Sequence, residues 1–267
     1  MISTLVSGAA GRMGGRIIAL MKEFSDLRLV GALENKGHQS IGKDSGEIAG
    51  IGKNGITITD DIEKIIKSSD VIIDFTLPSA TLEKLRIASR EKKAMVTGTT
   101  GFNKDELAEI KSLAGSIPCV MAPNMSIGVN LILKVLADIA RVLKDDYDVE
   151  IIEAHHRMKK DAPSGTALKM AQVIADALGR NLDDVVKYAR KGIIGERPKK
   201  EIGIQTIRAG DIVGEHTVLF GGMGERIEVT HRVSSRDTFA RGALKAAQWI
   251  VNKKAGLYDM QDVLGLR

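Results

Sequence analysis

Apolar and polar residues follow different patterns in the two halves of the chain. In the first half, short apolar runs that predict strands alternate with segments whose apolar residues recur at helical spacing. This alternation predicts an α/β fold, a doubly wound parallel sheet of the Rossmann type with helices on both faces. The polar, glycine-rich stretch 36–54 is predicted to be a loop. The predicted strands are 3–7, 27–33, 56–59, 70–75, 94–97 and 119–122, and the predicted helices are 12–23, 60–67, 78–93 and 104–113.

The second half predicts a further α+β domain with an open mixed sheet. Residues 201–234 are strand-like, and Gly-Gly-Met-Gly at 221–224 is typical of a hairpin turn between two of the strands. The predicted strands here are 149–154, 202–207, 215–220 and 226–233, and the predicted helices are 129–143, 166–178 and 238–251.

Composition narrows the class of protein. Apolar residues make up 43% and charged residues 27%, as in ordinary soluble proteins. The net charge of +5 is mild and lacks a basic stripe with stacking aromatics, so we expect no nucleic-acid partner. No apolar run reaches about 18 residues and the start lacks the pattern of a secretory signal, so we expect no membrane partner. The single Cys119 fits a reducing compartment, and we expect a cytoplasmic location.

A glycine-rich segment links the first predicted strand to the first predicted helix. It reads Gly8-Ala9-Ala10-Gly11-Arg12-Met13-Gly14, and glycines there let a pyrophosphate approach the amides of a helix N-terminus. Glu34 ends the second strand 20 residues after Gly14, where an acid can hydrogen-bond a ribose hydroxyl. The alternatives are a plain strand-to-helix turn and a solvated carboxylate. An acid favours NAD, whereas Lys36 could offset the repulsion of a 2′-phosphate, so NADH and NADPH both stay open.

Two further segments follow predicted strands, where ligands bind in such sheets. One is Gly98-Thr99-Thr100-Gly101 and the other is Ala122-Pro123-Asn124-Met125. Their small, hydroxyl-bearing and amide side chains suit the nicotinamide half of a cofactor. Each segment alone fits a simple turn equally well.

A cationic segment follows the strand predicted at 149–154. Five of the six residues of His155-His156-Arg157-Met158-Lys159-Lys160 can carry positive charge, and Ser164-Gly165-Thr166 then opens a helix. This combination favours an anionic substrate, especially a carboxylate, although a solvated basic loop is the simpler interpretation. Two neighbouring histidines without a nearby acid or thiol are a poor metal ligand set, so we predict no metal.

These motifs together resemble those of the 4-hydroxy-tetrahydrodipicolinate reductase family over nearly the whole chain. The string His-His-Arg-x-Lys-x-Asp-Ala-Pro-Ser-Gly-Thr at 155–166 is the most specific of them. The other matching motifs are the turn at 8–14, Asp74-Phe75-Thr76, the segments at 98–101 and 122–124, Glu153-Ala154, and Arg208-Ala209-Gly210-Asp211-Ile212-Val213-Gly214-Glu215-His216.

The resemblance implies an organisation and a reaction. Residues 1–126, completed by 237–267, form the dinucleotide-binding domain, and 127–236 form a domain for substrate binding and assembly into a homotetramer. The reaction is hydride transfer from NADH or NADPH to a cyclic, unsaturated dicarboxylate, which yields tetrahydrodipicolinate in lysine and diaminopimelate biosynthesis. Outside this family, a dehydrogenase acting on an amino acid or a semialdehyde, or a non-catalytic dinucleotide-sensing module, would share the fold.

The resemblance also implies roles for individual residues. His155 and Lys159 are the acid–base pair, with Lys159 either donating a proton or stabilising charge. His156, Gly165 and Thr166 hold the substrate carboxylates. Many members carry Arg after the acid of the second strand, whereas this chain has Asn35, which favours NADH or dual use. The implied cofactor contacts are Gly8, Ala9, Ala10, Gly11, Arg12, Met13, Glu34, Gly98, Thr99, Thr100, Ala122, Pro123, Asn124 and Met125.

Overall fold

The structure, a computed structural model, describes all 267 residues. None of its helices combines the length and the apolar character needed to span a bilayer. The strands are β1 (Ile2–Ser7), β2 (Leu27–Leu33), β3 (Ile58–Thr59), β4 (Val71–Asp74), β5 (Ala94–Thr97), β6 (Pro118–Met121), β7 (Asp148–His155), β8 (Val186–Tyr188), β9 (Ile202–Arg208), β10 (Gly214–Gly221), β11 (Arg226–Val233) and β12 (Gly256–Tyr258). The helices are α1 (Arg12–Leu20), α2 (Ser45–Ile48), α3 (Ile62–Ile65), α4 (Pro78–Arg90), α5 (Lys104–Ala114), α6 (Ile127–Leu143), α7 (Gly165–Ala177), α8 (Leu182–Val185), α9 (Asp237–Ile250) and α10 (Met260–Val263).

The chain divides into two compact units. Unit 1 comprises Met1–Ile127 and Asp237–Arg267, and unit 2 comprises Gly128–Arg236. The predicted division was 1–126 with 237–267, and 127–236. The roles assigned to the two parts stay predictions.

Unit 1 is built on a seven-stranded parallel sheet with the order β12-β6-β5-β4-β1-β2-β3. Successive side chains of a strand point to opposite faces, so Ile72 and Ile73 of β4 enter two separate cores. Ile73 packs in the core that includes α1 and α9, and Ile72 in the core that includes α4 and α5. The doubly wound Rossmann-type fold is therefore confirmed.

Two features of unit 1 differ from the sequence analysis. The stretch 36–54 is not wholly a loop, because α2 forms within it. The Asp44 carboxylate accepts hydrogen bonds from the amides of Gly46 and Glu47 at the start of α2, and from those of Asn54 and Gly55 beyond it. The edge strand β12 was not predicted, because three residues are too short for a hydrophobic period.

Unit 2 is a five-stranded mixed sheet with the order β11-β10-β7-β9-β8. The central strand β7 pairs antiparallel with β10 and parallel with β9. Side chains of α6 and α7 share one core with Val149 and Ile151 of β7. Alternation along the strand places Glu153 and His155 on this same face, whereas Ile152 points to the opposite face and is 37% exposed.

Candidate active site

The glycine-rich turn is sterically closed to side chains. Gly8 has a φ of +74°, and a Cβ there would lie 2.9 Å from the Phe75 carbonyl oxygen. A Cβ on Gly14 would lie 2.0 Å from the Gly8 carbonyl oxygen. Gly11 is the N-cap of α1, and no side chain caps the helix. The turn therefore brings uncapped helix amides to a site that only backbone occupies, which suits a pyrophosphate.

Glu34 lies directly beside this turn. One carboxylate oxygen accepts the Ala10 amide at 3.0 Å and the other accepts the Asn35 amide at 3.0 Å. Asn35 and Lys36 are exposed. The structure therefore brings Glu34 next to the glycine-rich turn. This proximity is required if the carboxylate is to hydrogen-bond the ribose of a nucleotide whose pyrophosphate lies at the turn.

A network of hydroxyl groups joins the carboxyl ends of β4 and β5. The buried Asp74 carboxylate accepts hydrogen bonds from Thr76, Thr81 and Thr99, and Lys84 lies 3.6 Å from it. A Cβ on Gly98 would lie 2.1 Å from the Phe75 ring. Thr99 is thus fixed in the network, whereas Thr100 is exposed. Asp74 lies in one of the family motifs of the sequence, but no role at this edge of the sheet was predicted for it.

The remaining predicted cofactor residues lie at or near the same edge of the unit 1 sheet. Asn124 accepts the Ser126 amide at 2.9 Å in the segment that follows β6. Of the others, Ala9, Ala122 and Met125 are buried, Ala10 and Met13 are partly buried, and Arg12 and Pro123 are exposed.

In unit 2, a fully buried carboxylate binds the predicted catalytic residue His155 and the residue that precedes Gly165. Glu153 has no exposed surface and accepts hydrogen bonds from His155 Nδ1 at 2.5 Å and from the Ser164 amide at 3.0 Å. Arg208 donates two hydrogen bonds to the same carboxylate, at 2.8 and 2.9 Å, and a third to the Asp161 carbonyl oxygen. Glu153 therefore connects the end of β7 with the start of α7 and with β9, and Arg208 extends the connection to the loop that follows β7.

His155 and His216 are held as a buried pair of rings. Their centroids lie 5.2 Å apart in an edge-to-face arrangement. Burial lowers the pKa of His155, and the charges of Lys159 and Arg208 lower it further against the opposing effect of Glu153. Burial, with the charge of His155, lowers the pKa of His216 to about 4. Both imidazoles therefore favour the neutral form more strongly than a free histidine does.

The start of α7 is capped by a side chain that contacts this histidine pair. Ser164 Oγ accepts the Ala167 amide at 3.1 Å and lies 2.9 Å from His216 Nε2. Gly165 and Thr166 follow in the first turn of α7. The cap thereby fixes the direction in which the positive end of the helix points.

The cationic segment leaves the sheet at the end of β7. His156 lies just beyond the strand and is partly exposed, and the Lys159 ammonium contacts the Asp161 carboxylate at 2.8 Å. No three histidine, cysteine or acidic side chains group closely enough to hold a metal ion.

Glu153, Arg208 and His216 were not assigned as site residues from the sequence, although each lies in a motif quoted there. Their meeting depends on strand pairing. His155 is in register with Arg208, and Glu153 with both Thr206 of β9 and His216 of β10. A local pattern could not have shown these neighbours, because they are 50 or more residues apart.

Comparison with known proteins assigns the family. A family model for the dihydrodipicolinate reductase N-terminus matches residues 2–125, and one for its C-terminus matches residues 128–264. The 4-hydroxy-tetrahydrodipicolinate reductase of Syntrophus aciditrophicus (strain SB) is 58% identical, and that of Geotalea uraniireducens (strain Rf4) is 57% identical, over 100% of this chain and of each relative. The chain belongs to the dihydrodipicolinate reductase family.

Solved structures agree with this assignment. A dipicolinate-bound dihydrodipicolinate reductase from Paenisporosarcina sp. TG-14 is 27% identical, with a TM-score of 0.76 over 98% of both chains. A probable dehydrogenase from Thermotoga maritima, 10% identical with a TM-score of 0.61, shares the fold; it covers 99% of this chain and 93% of its own. As a member of the dihydrodipicolinate reductase family, the chain is a pyridine-nucleotide-dependent oxidoreductase. It reduces 4-hydroxy-tetrahydrodipicolinate to tetrahydrodipicolinate in lysine and diaminopimelate biosynthesis.

Proposed function

We propose that His155 and Lys159 are the acid–base pair of this reduction and that His156, Gly165 and Thr166 hold the substrate carboxylates. The observation that carries the proposal is the Glu153 carboxylate, which joins His155 to the amide of the α7 cap. Because both are bound to one rigid group, a carboxylate at the helix start has a defined position relative to the imidazole.

The substrate side of this proposal rests on charge. The start of α7 offers the positive end of a helix dipole, and the Lys159 ammonium adds a cation from the preceding segment, which also carries the His156 imidazole. A ring carrying two carboxylates fits such a surface. The dipicolinate seen in the Paenisporosarcina relative, a planar ring with two carboxylates, supports the same class of ligand here.

The chemistry requires a proton as well as a hydride. A bound NADH or NADPH supplies the hydride, and the resulting negative charge on the substrate has to be neutralised. His155 Nδ1 is already hydrogen-bonded to the Glu153 carboxylate, so we assign proton exchange to Nε2. The Lys159 ammonium, beside Asp161, is placed to stabilise the developing anion or to donate the proton itself.

For the cofactor, we propose that unit 1 binds the nucleotide and accepts both NADH and NADPH, with NADH at least as effective. The glycine-rich turn takes the pyrophosphate, and Glu34 takes the adenine ribose. Further contacts come from Ala9, Ala10, Gly98, Thr99, Thr100 and the segment from Ala122 to Met125. Lys36 provides the one cation close to Glu34 in sequence that could meet a 2′-phosphate.

Paired kinetics test the reaction and the cofactor together. Oxidation of NADH and of NADPH is followed by absorbance with freshly prepared substrate, and dipicolinate serves as a competitive ligand. We expect turnover with both cofactors and a kcat/KM for NADH no lower than that for NADPH. If neither NADH nor NADPH supports turnover, the proposed reaction is contradicted. A strong preference for NADPH would contradict only the assignment of Glu34.

We also propose that the protein is cytoplasmic and assembles as a homotetramer through unit 2. The face of its sheet away from α6 and α7 carries Ile152 and Ile207, which are 37% and 47% exposed. Covering such residues with a second copy removes apolar surface from water. Sedimentation should give about four chains per particle, and Ile152→Asp should reduce that number, whereas a monomeric wild type contradicts the proposal.

A further inference from the structure

The buried carboxylate of Glu153 accepts hydrogen bonds from four residues. It accepts from His155 on its own strand, from Ser164 at the start of α7, and from Arg208 and Thr206 on β9. Buried ion pairs are often replaceable by apolar residues without loss of stability. Beyond their mutual contact, Glu153 and Arg208 also bond His155, the Ser164 amide and the Asp161 carbonyl oxygen, which points to a role in positioning these groups.

We propose that Glu153 and Arg208 are a positioning pair: Glu153 fixes the hydrogen of His155 on Nδ1 and leaves Nε2 as the exchanging nitrogen, and Arg208 holds the Glu153 carboxylate and balances its charge. The inference rests on the proposed role of His155. Neither residue of the pair needs to touch the substrate. Their action passes through the imidazole, the Ser164 amide and the Asp161 carbonyl oxygen.

The geometry around the imidazole supports this assignment at both nitrogens. The Nδ1–Oε2 distance of 2.5 Å leaves no room for another partner at Nδ1. On the other side, Nε2 lies next to Gly214, where a Cβ would be 3.1 Å away. A glycine therefore keeps the space at Nε2 free of a side chain.

Arg208 balances the negative charge of the Glu153 carboxylate, so that Glu153 does not simply hold His155 in its protonated form. Its two hydrogen bonds neutralise Glu153, and together with His155 and Ser164 they hold the pKa of that carboxyl below its usual range despite burial. The groups facing His155 are Glu153, Lys159, Arg208 and His216. Glu153 favours the protonated imidazole, whereas the cations Lys159 and Arg208 disfavour it, and the pair can orient the ring without locking it in the charged form.

This balance gives opposite expectations for the two partners. Glu153→Gln removes the group that raises the pKa of His155, so that pKa should fall further. Arg208→Met removes a cation and leaves Glu153 fully charged, so the pKa of His155 should rise above its wild-type value. Only Glu153→Gln should also release the tautomer, because the amide can accept or donate at Nδ1.

The experiment is nitrogen-15 NMR of the histidine rings in the full-length protein, titrated without substrate. We expect wild type and Arg208→Met to show the Nδ1–H tautomer, Glu153→Gln to show a mixture, and the two variants to shift the His155 pKa in opposite directions. The kcat of Glu153→Gln should fall on the order of 100-fold, the scale of general acid–base catalysis. Its Kd for NADH should stay within about twofold of wild type.

A matched control lies on the same strand. Glu150 is also held by two arginines, Arg190 and Arg197, but it points to the opposite face of the sheet. Glu150→Gln should leave the His155 ring signals and kcat unchanged. If Glu153→Gln does not fold, Arg208→Lys keeps the charge but not the paired donors, and it should lower kcat while retaining the Nδ1–H tautomer.

The results separate this inference from the proposed function. An unchanged tautomer in Glu153→Gln, or shifts of the same sign in both variants, would overturn the positioning role. Expected ring signals combined with an undiminished kcat in Glu153→Gln would overturn the role of His155 instead. The NMR readout requires no turnover, so it stands even if the substrate assignment fails.

Discussion

The glycine-rich turn of unit 1 and the Glu153 cluster of unit 2 solve different recognition problems. The turn is backbone from one continuous segment, and its glycines leave no space for a side chain, as at Gly14. The cluster is made of side chains from β7, α7 and β9, which meet through strand register. At Gly165, by contrast, a Cβ would meet nothing within 4 Å.

Because of this difference, the two sites should be sensitive to different kinds of substitution. In the turn, an added methyl group collides with backbone that cannot move, whereas changes of side-chain charge matter less. In the cluster, an added methyl group is tolerated at Gly165, whereas removal of one charge leaves another charge buried without its partner. Steric variants should therefore damage unit 1 and electrostatic variants should damage unit 2.

The largest effect is expected from Lys159→Ala. Loss of the ammonium removes the cation that stabilises or protonates the reduced substrate, and kcat should fall roughly 100- to 10,000-fold. NADH affinity, measured by fluorescence titration, should stay within about twofold, because Lys159 belongs to unit 2. Lys160→Ala is the matched control, since Lys160 is exposed in the same segment and should retain wild-type kcat. If Lys159→Ala lost NADH affinity to the same extent as kcat, the assignment of Lys159 to the substrate site would be wrong.

A steric variant should produce the next largest effect, in unit 1. A Cβ on Gly14 would lie 2.0 Å from the Gly8 carbonyl oxygen and 2.9 Å from the Ala9 Cα. Relieving that overlap means moving the turn, so Gly14→Ala should cost about 3 kcal/mol of stability. It should weaken NADH binding by a comparable free energy, which corresponds to roughly 100-fold in Kd. Thermal unfolding and fluorescence titration measure the two effects.

The control for Gly14→Ala is the next residue. The nearest atoms to a Cβ on Gly15 are 3.9 Å away, within ordinary contact distance. Gly15→Ala should therefore be neutral or stabilise α1 by up to about 1 kcal/mol, the helix preference of alanine over glycine. If the two alanine variants behave alike, steric closure is not what makes the turn sensitive.

The same contrast explains what the sequence could predict. In unit 1 the long strands β1 and β2 were placed within a residue or two, because continuous apolar runs end at turn residues. The turn itself was recognisable because its determinants are consecutive. The short elements α2 and β12 were missed, since α2 depends on the Asp44 cap and β12 on pairing with β6.

In unit 2 the sequence predicted four of the five strands, missing the short β8, and it did not predict their order. β7 lies between β10 and β9, so residues from three distant segments meet on one face. His155 and Lys159 were predicted by resemblance within one string, and their assignment as catalytic residues stays a prediction. Glu153 and Arg208 could not be connected, since a carboxylate and a guanidinium 55 residues apart carry no local signal of their contact.

Buried histidine makes unit 2 sensitive to acid. The unfolded chain binds a proton at His216 below its ordinary pKa of 6.5, whereas the folded chain does so only near 4. Stability should therefore fall as the pH decreases from 6.5 towards 4, by about 2 kcal/mol at pH 5 from this group. His216→Gln removes the titration, so its stability difference from wild type, measured in urea at pH 7.5 and 5, should shrink by that amount. A difference that does not vary with pH would contradict burial of a neutral His216.

The smallest expected effect tests whether the turn is purely steric. Glu34 is the one charged side chain that contacts it, through the Ala10 amide. Glu34→Ala should weaken NADH binding about 10-fold, since Glu34 is partly exposed and a hydrogen bond to a charged group contributes about 1.5 kcal/mol at the low end of its range. It should weaken NADPH less or not at all, because the carboxylate also repels a 2′-phosphate.

Glu34→Gln separates the two contributions. The amide keeps an acceptor for Ala10 but carries no charge, so NADH affinity should be largely retained and NADPH affinity should rise. Fluorescence titration with both nucleotides gives the ratio of dissociation constants for each variant. If that ratio is the same in wild type, Glu34→Ala and Glu34→Gln, the carboxylate does not contact the ribose. The turn would then recognise the pyrophosphate by backbone alone, and the division between a steric site and an electrostatic site would be complete.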